Sequence, residues 1–132
     1  MLGVEDSIKK TKLEGILFFI EKESKFPSRQ VSKNKASKII LLDANEYALY
    51  SIKQEIEGFE GDAEIFSVLA SVSNKKRIKE VCKAFNVDTI YHAAAYKHVS
   101  LVEENPFEAV LNNIHGTKLC AEAAIEAEVD TF

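Results

Sequence analysis

The chain has 132 residues, 46% hydrophobic and 29% charged, which is ordinary for a globular protein and enough to bury one core. Its formal net charge of −4 leaves no basic surplus to neutralise phosphates, so we expect no general binding of nucleic acid. The most apolar run, residues 16–20, is far too short to cross a bilayer and no signal peptide is visible, so we expect a cytoplasmic protein without a membrane segment.

Residues 1–36 form a divergent N-terminal segment that holds many charges, and we expect it to be partly disordered. A doubly wound nucleotide-binding fold opens with a strand, followed at once by a glycine-rich turn and a helix. Residues 16–20 fit that first strand, but the polar stretch Glu21–Pro27 follows them. No glycine occurs between Gly15 and Gly58. The glycine-rich loop is therefore replaced in this sequence.

From residue 37 onward, strand and helix patterns alternate. Lys38–Asp43 is a continuous apolar run that ends in an acid, which predicts a strand buried on both faces. Asn45 can cap the helix that follows, and Ser73 or Asn74 can cap the next one. Glu64–Leu69 and Val87–Tyr91 are the other strand candidates. Residues at helical spacing predict the two buried helix faces: Ala48, Leu49, Ile52 and Ile56, then Ile78, Val81, Cys82 and Phe85.

The last helix has the clearest start in the sequence. Asn105 is a predicted cap, Pro106 takes the first helical position, and Glu108 completes a pattern like a capping box. The predicted buried stripe of this helix comprises Phe107, Val110, Leu111, Ile114 and Ala121. Three strands alternating with three helices predict parallel strands joined by right-handed crossovers. Residues 37–132 are therefore expected to form an incomplete α/β domain, a Rossmann-like parallel sheet with flanking helices.

The cysteines and histidines indicate neither a disulfide nor a metal site. Cys82 and Cys120 both fall on apolar helical stripes, which favours two buried thiols in a reducing compartment. His92, His98 and His115 lie on a predicted strand end, a loop and a helix, and their spacing is not that of metal ligands.

Two groups of residues at strand ends are candidates for binding a nucleotide. In dinucleotide-binding folds an acid at the end of the second strand, here Asp43, accepts hydrogen bonds from ribose hydroxyls and disfavours a 2′-phosphate. The alternative is an aspartate that only caps a helix or a turn. After the last strand come Ala93, Ala94 and Ala95, whose small side chains allow a flat ligand to approach the backbone. The same small volume also suits tight packing of a helix on the sheet.

Three further polar residues follow this strand. Lys97 and His98 lie beyond its carboxyl end, where open α/β sheets bind ligands, although a solvated loop is the alternative. Asn113 lies on the inward stripe of the last helix, where a polar side chain requires a hydrogen-bond partner. Gly116, one turn later, permits close approach of a neighbouring backbone. These two residues indicate a helix pressed against an active-site strand.

Several of these segments share the pattern of one family. They are Ile40–Asp43 with Glu46–Tyr50, His92–Val99, Leu101–Glu103, Asn105–Pro106 with Glu108–Val110, and Asn112–Asn113 with Gly116–Thr117. The stretch Ile39–Ala124, about two-thirds of the chain, resembles the CapD-type, UDP-N-acetylglucosamine 4,6-dehydratase family of polysaccharide biosynthesis. These are extended short-chain dehydrogenase/reductase proteins.

The resemblance implies an NAD(P) site in the partial domain at residues 37–132. Asp43 would hold the adenosine ribose, and Ala93, Ala94 and Ala95 would line the cofactor pocket. Asn113 would be the helix asparagine that supports the active site.

The resemblance also implies a substrate and a reaction. Lys97 and His98 would face a UDP-sugar such as UDP-N-acetylglucosamine. The family oxidises C4 with NAD(P)+, eliminates water across C5 and C6, and returns the hydride to C6. A ketone at C4 acidifies the proton at C5, which explains why a redox cofactor serves a reaction without net oxidation.

Three departures from the family pattern predict that this chain alone is inactive. The glycine turn is missing at residues 21–27, which removes backbone donors for the pyrophosphate and makes cofactor binding doubtful. Leu69–Asn74 stands where the family tends to have a glycine and an acid. The chain stops at Phe132, before the family's catalytic Tyr/Met-x-x-x-Lys element.

Two hypotheses about this chain follow. It is either the N-terminal portion of a dehydratase that works with a complementing chain, or a non-catalytic remnant or interaction module from a disrupted gene. An exposed sheet edge would also favour self-association.

Overall fold

The computed structural model describes residues 14–19, 36–58 and 62–132, which contain a parallel sheet flanked by helices. The strands are β1 (Gly15–Phe19), β2 (Lys38–Asp43), β3 (Glu64–Leu69) and β4 (Val87–His92). The helices are α1 (Glu46–Glu57), α2 (Lys75–Ala84), α3 (Val99–Glu104), α4 (Pro106–Ala109), a π-helical segment (Val110–Gly116) and α5 (Thr117–Glu126).

The described strands lie in the order β3-β2-β1-β4, and every pairing among them is parallel. Strands β1 and β2 pair from Gly15 opposite Lys38 to Phe19 opposite Leu42. The order runs outward from β1 to β3 on one side and then jumps to β4 on the other, which creates a switch point between β1 and β4. The predicted Rossmann-like α/β fold is confirmed.

Strand β1 lies within the N-terminal segment that the sequence sets apart, and the predicted first strand is confirmed. All its residues are buried. Leu17 and Phe19 face one apolar cluster, and Ile16 and Phe18 face the other. The missing glycine turn falls in residues 20–35, which lie outside the described part of the chain.

The sheet separates two apolar clusters. The larger one fills the space between the sheet and helices α2 and α5, with Ile40, Ile78 and Ala123 at its centre. The smaller one lies between the sheet and α1, around Ile39 and Ile56. Burying each large aliphatic side chain contributes about 1.5–3 kcal/mol, so both clusters hold the strand ends in place. The predicted buried faces of the first two helices are confirmed, with Ile52 and Phe85 partly buried.

The predicted buried stripe of the last helix is wrong. Phe107 is 72% exposed and Ile114 is 66% exposed, and Val110 and Leu111 are also exposed. The buried positions are instead the small residues Ala109, Gly116, Cys120, Ala123 and Ala124. Small side chains let this helix approach α2 and the sheet closely, so the large apolar residues face outward.

The predicted capping box at the start of this helix is also wrong. Asn105 occupies the cap position, but its side chain makes no capping hydrogen bond. Its Nδ2 donates instead to the carbonyl oxygen of Leu101 at 3.0 Å. The reason is that Asn105 also ends α3, and its amide satisfies a carbonyl of that preceding helix.

Cys82 on α2 and Cys120 on α5 are both buried and unbridged. Burial raises the pKa of the Cys82 thiol to about 11, and burial together with the neighbouring Cys82 raises the pKa of Cys120 to about 12. Among the described residues, no three histidine, cysteine or acidic side chains are grouped so that they could hold a metal ion. No helix in the described ranges is long and apolar enough to cross a membrane.

Candidate functional site

A cavity of about 250 Å³ opens at the carboxyl ends of β2, β3 and β4. Carboxyl ends of parallel strands meet at one edge of a sheet, where ligands of open α/β folds bind. The volume is slightly below the range of whole ligand sites, which suits part of a larger ligand. The cavity is lined by Leu42, Asp43, Ala44, Asn45, Ala48, Ala70, Ser71, Val72, Ala94, Ala95, Tyr96 and Asn112.

The first wall of the cavity is the turn between β2 and α1. The Oδ1 atom of Asp43 accepts a hydrogen bond of 2.7 Å from the backbone N–H of Asn45. The Oδ1 atom of Asn45 accepts one of 3.0 Å from the N–H of Ala48, which confirms the predicted helix cap. Asp43 therefore organises the turn and also lines the cavity, so its two interpretations from sequence are compatible.

The carboxyl group of Asp43 is half-buried. Burial raises its pKa, and hydrogen bonds from the backbone of Asn45 and Ala44 partly offset that effect. A carboxylate that is partly removed from water, with one oxygen fixed, is suited to accept hydrogen bonds from hydroxyl groups of a ligand.

The second wall is the segment after β3, and its position is fixed by Val72. A Cβ atom added at Gly116 would lie 2.8 Å from Cγ2 of Val72, so only glycine allows this approach. The Cys120 thiol donates to the carbonyl oxygen of Val72 at 3.5 Å. The sequence predicts that Gly116 admits a neighbouring backbone, but the close contact is instead with the side chain of Val72, on the β3 side of the cavity.

The third wall is the loop after β4, of which Ala94, Ala95 and Tyr96 line the cavity. Ala93 lies just before this wall, and its N–H donates to the carbonyl oxygen of Phe19 at 3.3 Å. This bond ties the loop to the end of β1.

Asn113 holds the same loop from the last helix. Its Oδ1 accepts from the N–H of Tyr96 at 2.8 Å, and its Nδ2 donates to the carbonyl oxygen of Tyr96 at 3.0 Å. The predicted requirement for a hydrogen-bond partner is thus met by backbone.

Three residues that sequence reasoning did not propose for the site also contact this wall or support it. The Nδ2 atom of Asn112 donates to the carbonyl oxygen of Ala94 at 2.8 Å. His92 and Thr117 lie behind the loop, with 2.8 Å between Nε2 and Oγ1. Asn112 stands beside Asn113 in sequence, and that adjacency was the available signal.

Lys97 and His98 lie at a different cavity from Asp43. This second cavity, of about 290 Å³, is lined by Tyr96, Lys97, His98, Leu101, Val102, Asn105, Glu108 and Ala109. Tyr96 lines both cavities, so the loop after β4 separates them. His98 also occupies the cap position of α3.

Comparison with known proteins identifies the lineage of the chain. A family model described as polysaccharide biosynthesis protein matches residues 25–132. The capsular polysaccharide biosynthesis protein CapD of Staphylococcus aureus is 52% identical over 105 residues, which are 79% of this chain and 18% of CapD. A UDP-N-acetylglucosamine 4,6-dehydratase (inverting) of Campylobacter jejuni is 34% identical over 88 residues, which are 62% of this chain and 25% of that protein.

Solved structures agree with the fold. Pen from Bacillus thuringiensis superposes with a TM-score of 0.77 at 30% identity, over 89% of this chain and 36% of that chain. The dTDP-glucose 4,6-dehydratase of Streptomyces venezuelae, solved with NAD and TYD bound, gives 0.69 at 20% identity, over 88% of this chain and 37% of its own. The chain thus spans about a third of these structures and about a fifth of CapD. The match over residues 25–132 and the identity to CapD place the chain in the polysaccharide biosynthesis protein family, as the sequence resemblance predicts.

Proposed function

We propose that this chain forms the nucleotide-binding part of an NAD(P)-dependent nucleotide-sugar 4,6-dehydratase, with the adenosine end of the cofactor in the cavity beside Asp43. The observation that carries this proposal is the half-buried carboxylate at the end of β2, on the rim of a cavity of about 250 Å³. The names of the relatives support the reaction class, and the NAD bound in the dehydratase structure supports the cofactor.

The residues of the cavity fit an adenosine group. Ala70, Ala94 and Ala95 supply small apolar surface for a flat base, while Asp43 supplies the polar contact. Its Oδ1 is engaged by Asn45, so Oδ2 is the oxygen that we assign to the ribose hydroxyls. When bound, the nicotinamide cofactor supplies hydride transfer.

The charge of Asp43 sets a cofactor preference. A carboxylate close to the ribose repels the phosphate that NADP+ carries at its 2′ position. We therefore expect NAD+ to bind more tightly than NADP+.

We assign the second cavity to the sugar nucleotide. Lys97 can pair with phosphate oxygens, and His98 can donate a hydrogen bond to a sugar hydroxyl. The substrate class is a UDP-N-acetylhexosamine, by analogy with the Campylobacter relative. The two buried thiols favour a reducing, cytoplasmic setting for this chemistry.

The test is an NMR titration of the ¹⁵N-labelled chain with NAD+ and with NADP+. The expected result is chemical-shift change at the amides of Asp43, Ser71, Ala94 and Ala95, with binding weaker than about 100 μM because the glycine turn is replaced. Asp43→Asn should weaken NAD+ binding about tenfold. It should also reduce the difference in affinity between NAD+ and NADP+.

Asp62→Asn is the matched control. It makes the same change of charge at a turn before β3, at the opposite end of the sheet from the cavity. Equal effects of the two variants, or shifts that avoid the cavity, would count against this site.

We expect no dehydration of UDP-N-acetylglucosamine by the 132-residue chain alone, because its sequence offers no glycine turn to hold the pyrophosphate. The activity then requires a complementing chain, and the exposed apolar side chains of Phe107 and Ile114 favour self-association or such a partner. Formation of the 4-keto-6-deoxy sugar by the purified chain would refute the first expectation. Light scattering would test the second.

A second candidate is a non-catalytic remnant or interaction module. The absence of glycine between Gly15 and Gly58 favours it, because the remaining motifs of the family are retained on both sides of a replaced loop. If neighbouring DNA encodes the glycine turn in another frame, the remnant hypothesis is supported. Measurable NAD+ binding better than about 100 μM would instead favour a working subunit.

A further inference from the structure

The last helix is irregular where it meets the candidate site. Residues Val110–Gly116 are π-helical, between the α-helical segments α4 and α5. The hydroxyl of Thr117 donates to the carbonyl oxygen of Asn113 at 2.6 Å, while the backbone N–H of Thr117 donates to the carbonyl oxygen of Ile114. A threonine hydroxyl bound to the carbonyl four residues earlier competes with the helical ladder and bends helices. The hydroxyl bond of Thr117 therefore lies at the junction of the π-helical segment and α5, where it favours a bend.

The carbonyl oxygen of Asn113 fixes the direction of that hydroxyl. Since Thr117 donates its proton to Asn113, its Oγ1 acts as acceptor for His92, so Nε2 of His92 carries a proton. The imidazole lies edge-on to Phe19, with 5.2 Å between ring centres, and stacks on Phe132 at 5.8 Å. The ring is thus held by packing at the end of β4.

The irregular turn coincides with two asparagines that reach one loop. In an α-helix, consecutive side chains point about 100° apart around the axis. A π turn is wider than an α turn, and such turns are frequent at functional sites. Asn112 binds the carbonyl of Ala94, Asn113 binds both backbone groups of Tyr96, and the two amides bind each other at 3.0 Å.

We infer that His92 and Thr117 are positioning residues. They stabilise the wider, π-helical turn, and that turn lets the side chains of Asn112 and Asn113 both bind the loop after β4. Neither residue touches the cavity itself. They act through the asparagines on Ala94 and on the loop that separates the two cavities. The link to cofactor binding rests on the proposed function, whereas the link to loop geometry does not.

The experiment compares Thr117→Val with Thr117→Ser in the full chain by amide hydrogen exchange. Valine keeps the shape and removes the hydroxyl, and serine keeps the hydroxyl. We expect exchange at the Tyr96 amide about tenfold faster in Thr117→Val and unchanged in Thr117→Ser. Thr89→Val, a buried threonine of β4 outside this network, is the control and should leave the Tyr96 amide unaffected.

A second variant keeps the inference testable if valine at position 117 prevents folding. His92→Phe retains an aromatic ring against Phe19 and Phe132 but removes the Nε2 donor, and it should raise Tyr96 exchange by a smaller factor. In the unaltered chain, ¹⁵N shifts of His92 should report the Nε2–H tautomer. A proton on Nδ1 instead, unchanged Tyr96 exchange in both variants, or equal acceleration in Thr117→Ser would overturn the inference.

A titration with NAD+ separates the two proposals. Weaker NAD+ binding by Thr117→Val but not by Thr117→Ser would extend the inference to the cofactor site. Faster Tyr96 exchange in a chain whose unaltered form shows no cavity shifts with NAD+ would support the positioning role and refute the proposed function.

Discussion

The two ends of the candidate cavity are built in different ways. At the β2 end, Asp43 and Asn45 bind groups only two and three residues away in sequence. At the β4 end, Asn112 and Asn113 reach groups 18 and 17 residues away, and His92 and Thr117 are separated by 25. The first end forms as soon as its own turn folds. The second exists only when the last helix has docked.

This difference indicates unequal local stability. A wall made by sequence-local contacts persists through small fluctuations, while one made by long-range contacts opens whenever its partner element moves. The loop between the two cavities should therefore be the first part of the site to loosen, and substitutions in the last helix should affect it more than substitutions near Asp43.

Gly116→Val should have the largest effect. Its Cβ would meet Val72 Cγ2 at 2.8 Å in a buried contact, so overpacking should cost about 3 kcal/mol of unfolding free energy in urea. Gly58→Val is the control, since the nearest atom to its added Cβ lies at 3.4 Å. Equal losses in the two variants would show that the contact with Val72 is not the cause.

Asn113→Ala should have the next largest effect. Removing both hydrogen bonds to Tyr96 should cost about 1–2 kcal/mol in thermal unfolding and release the loop. Asn105→Ala removes one hydrogen bond, to the carbonyl of Leu101, which lies outside the loop after β4. It should therefore lower the free energy of unfolding by a smaller amount. If the order of the two losses is reversed, long-range contacts do not govern this end of the site.

Asn45→Ala should cost about 1 kcal/mol, because it removes the cap of α1. Asn74→Ala removes the equivalent cap of α2, whose side chain accepts from Arg77, and should cost about the same. Only the first should change the NAD+-induced shift at Asp43. Shifts that respond equally to both variants would contradict a local origin for the β2 end.

Asp43→Asn should have the smallest effect on stability and a characteristic dependence on pH. Burial raises the folded-state pKa of Asp43, so its charged form is disfavoured by folding and the penalty is present above that pKa. The amide should therefore be slightly more stable than the acid at neutral pH. The difference should shrink as the pH falls through the raised pKa, and thermal midpoints across that range measure it. A variant that is less stable at neutral pH would contradict this sign.

The same division explains which features the sequence could predict. The strand ending at Asp43, the cap at Asn45 and the buried faces of α1 and α2 depend on neighbouring residues, and each was predicted correctly. The cap of α2 was predicted as Ser73 or Asn74, and the structure has Asn74. The exposure of Phe107 and Ile114 was not, because helical spacing identifies an apolar side but not which side meets the sheet. Small residues decided that choice, through the fit of Gly116 against Val72.

The polar contacts of the last helix could not be predicted from the sequence for a related reason. A single asparagine on an inward stripe predicts a partner but does not identify it. The pairing of Asn112 with Ala94, and of His92 with Thr117, depends on a helix turn that departs from regular geometry. Helix propensity and apolar spacing do not predict that departure, which coincides with a contact between the Thr117 hydroxyl and His92 on β4.

The rate at which the two cysteines are alkylated provides a measure of how stably the last helix is packed. Cys82 and Cys120 lie on the facing helices α2 and α5, in the same apolar cluster, and their thiols stay protonated at neutral pH. Because both side chains are buried, an alkylating reagent reaches them only in molecules that have opened locally or unfolded. The rate of labelling in native buffer therefore reports how often this part of the fold opens, and a slower rate in the presence of a ligand would show that the ligand stabilises the packing around α2 and α5.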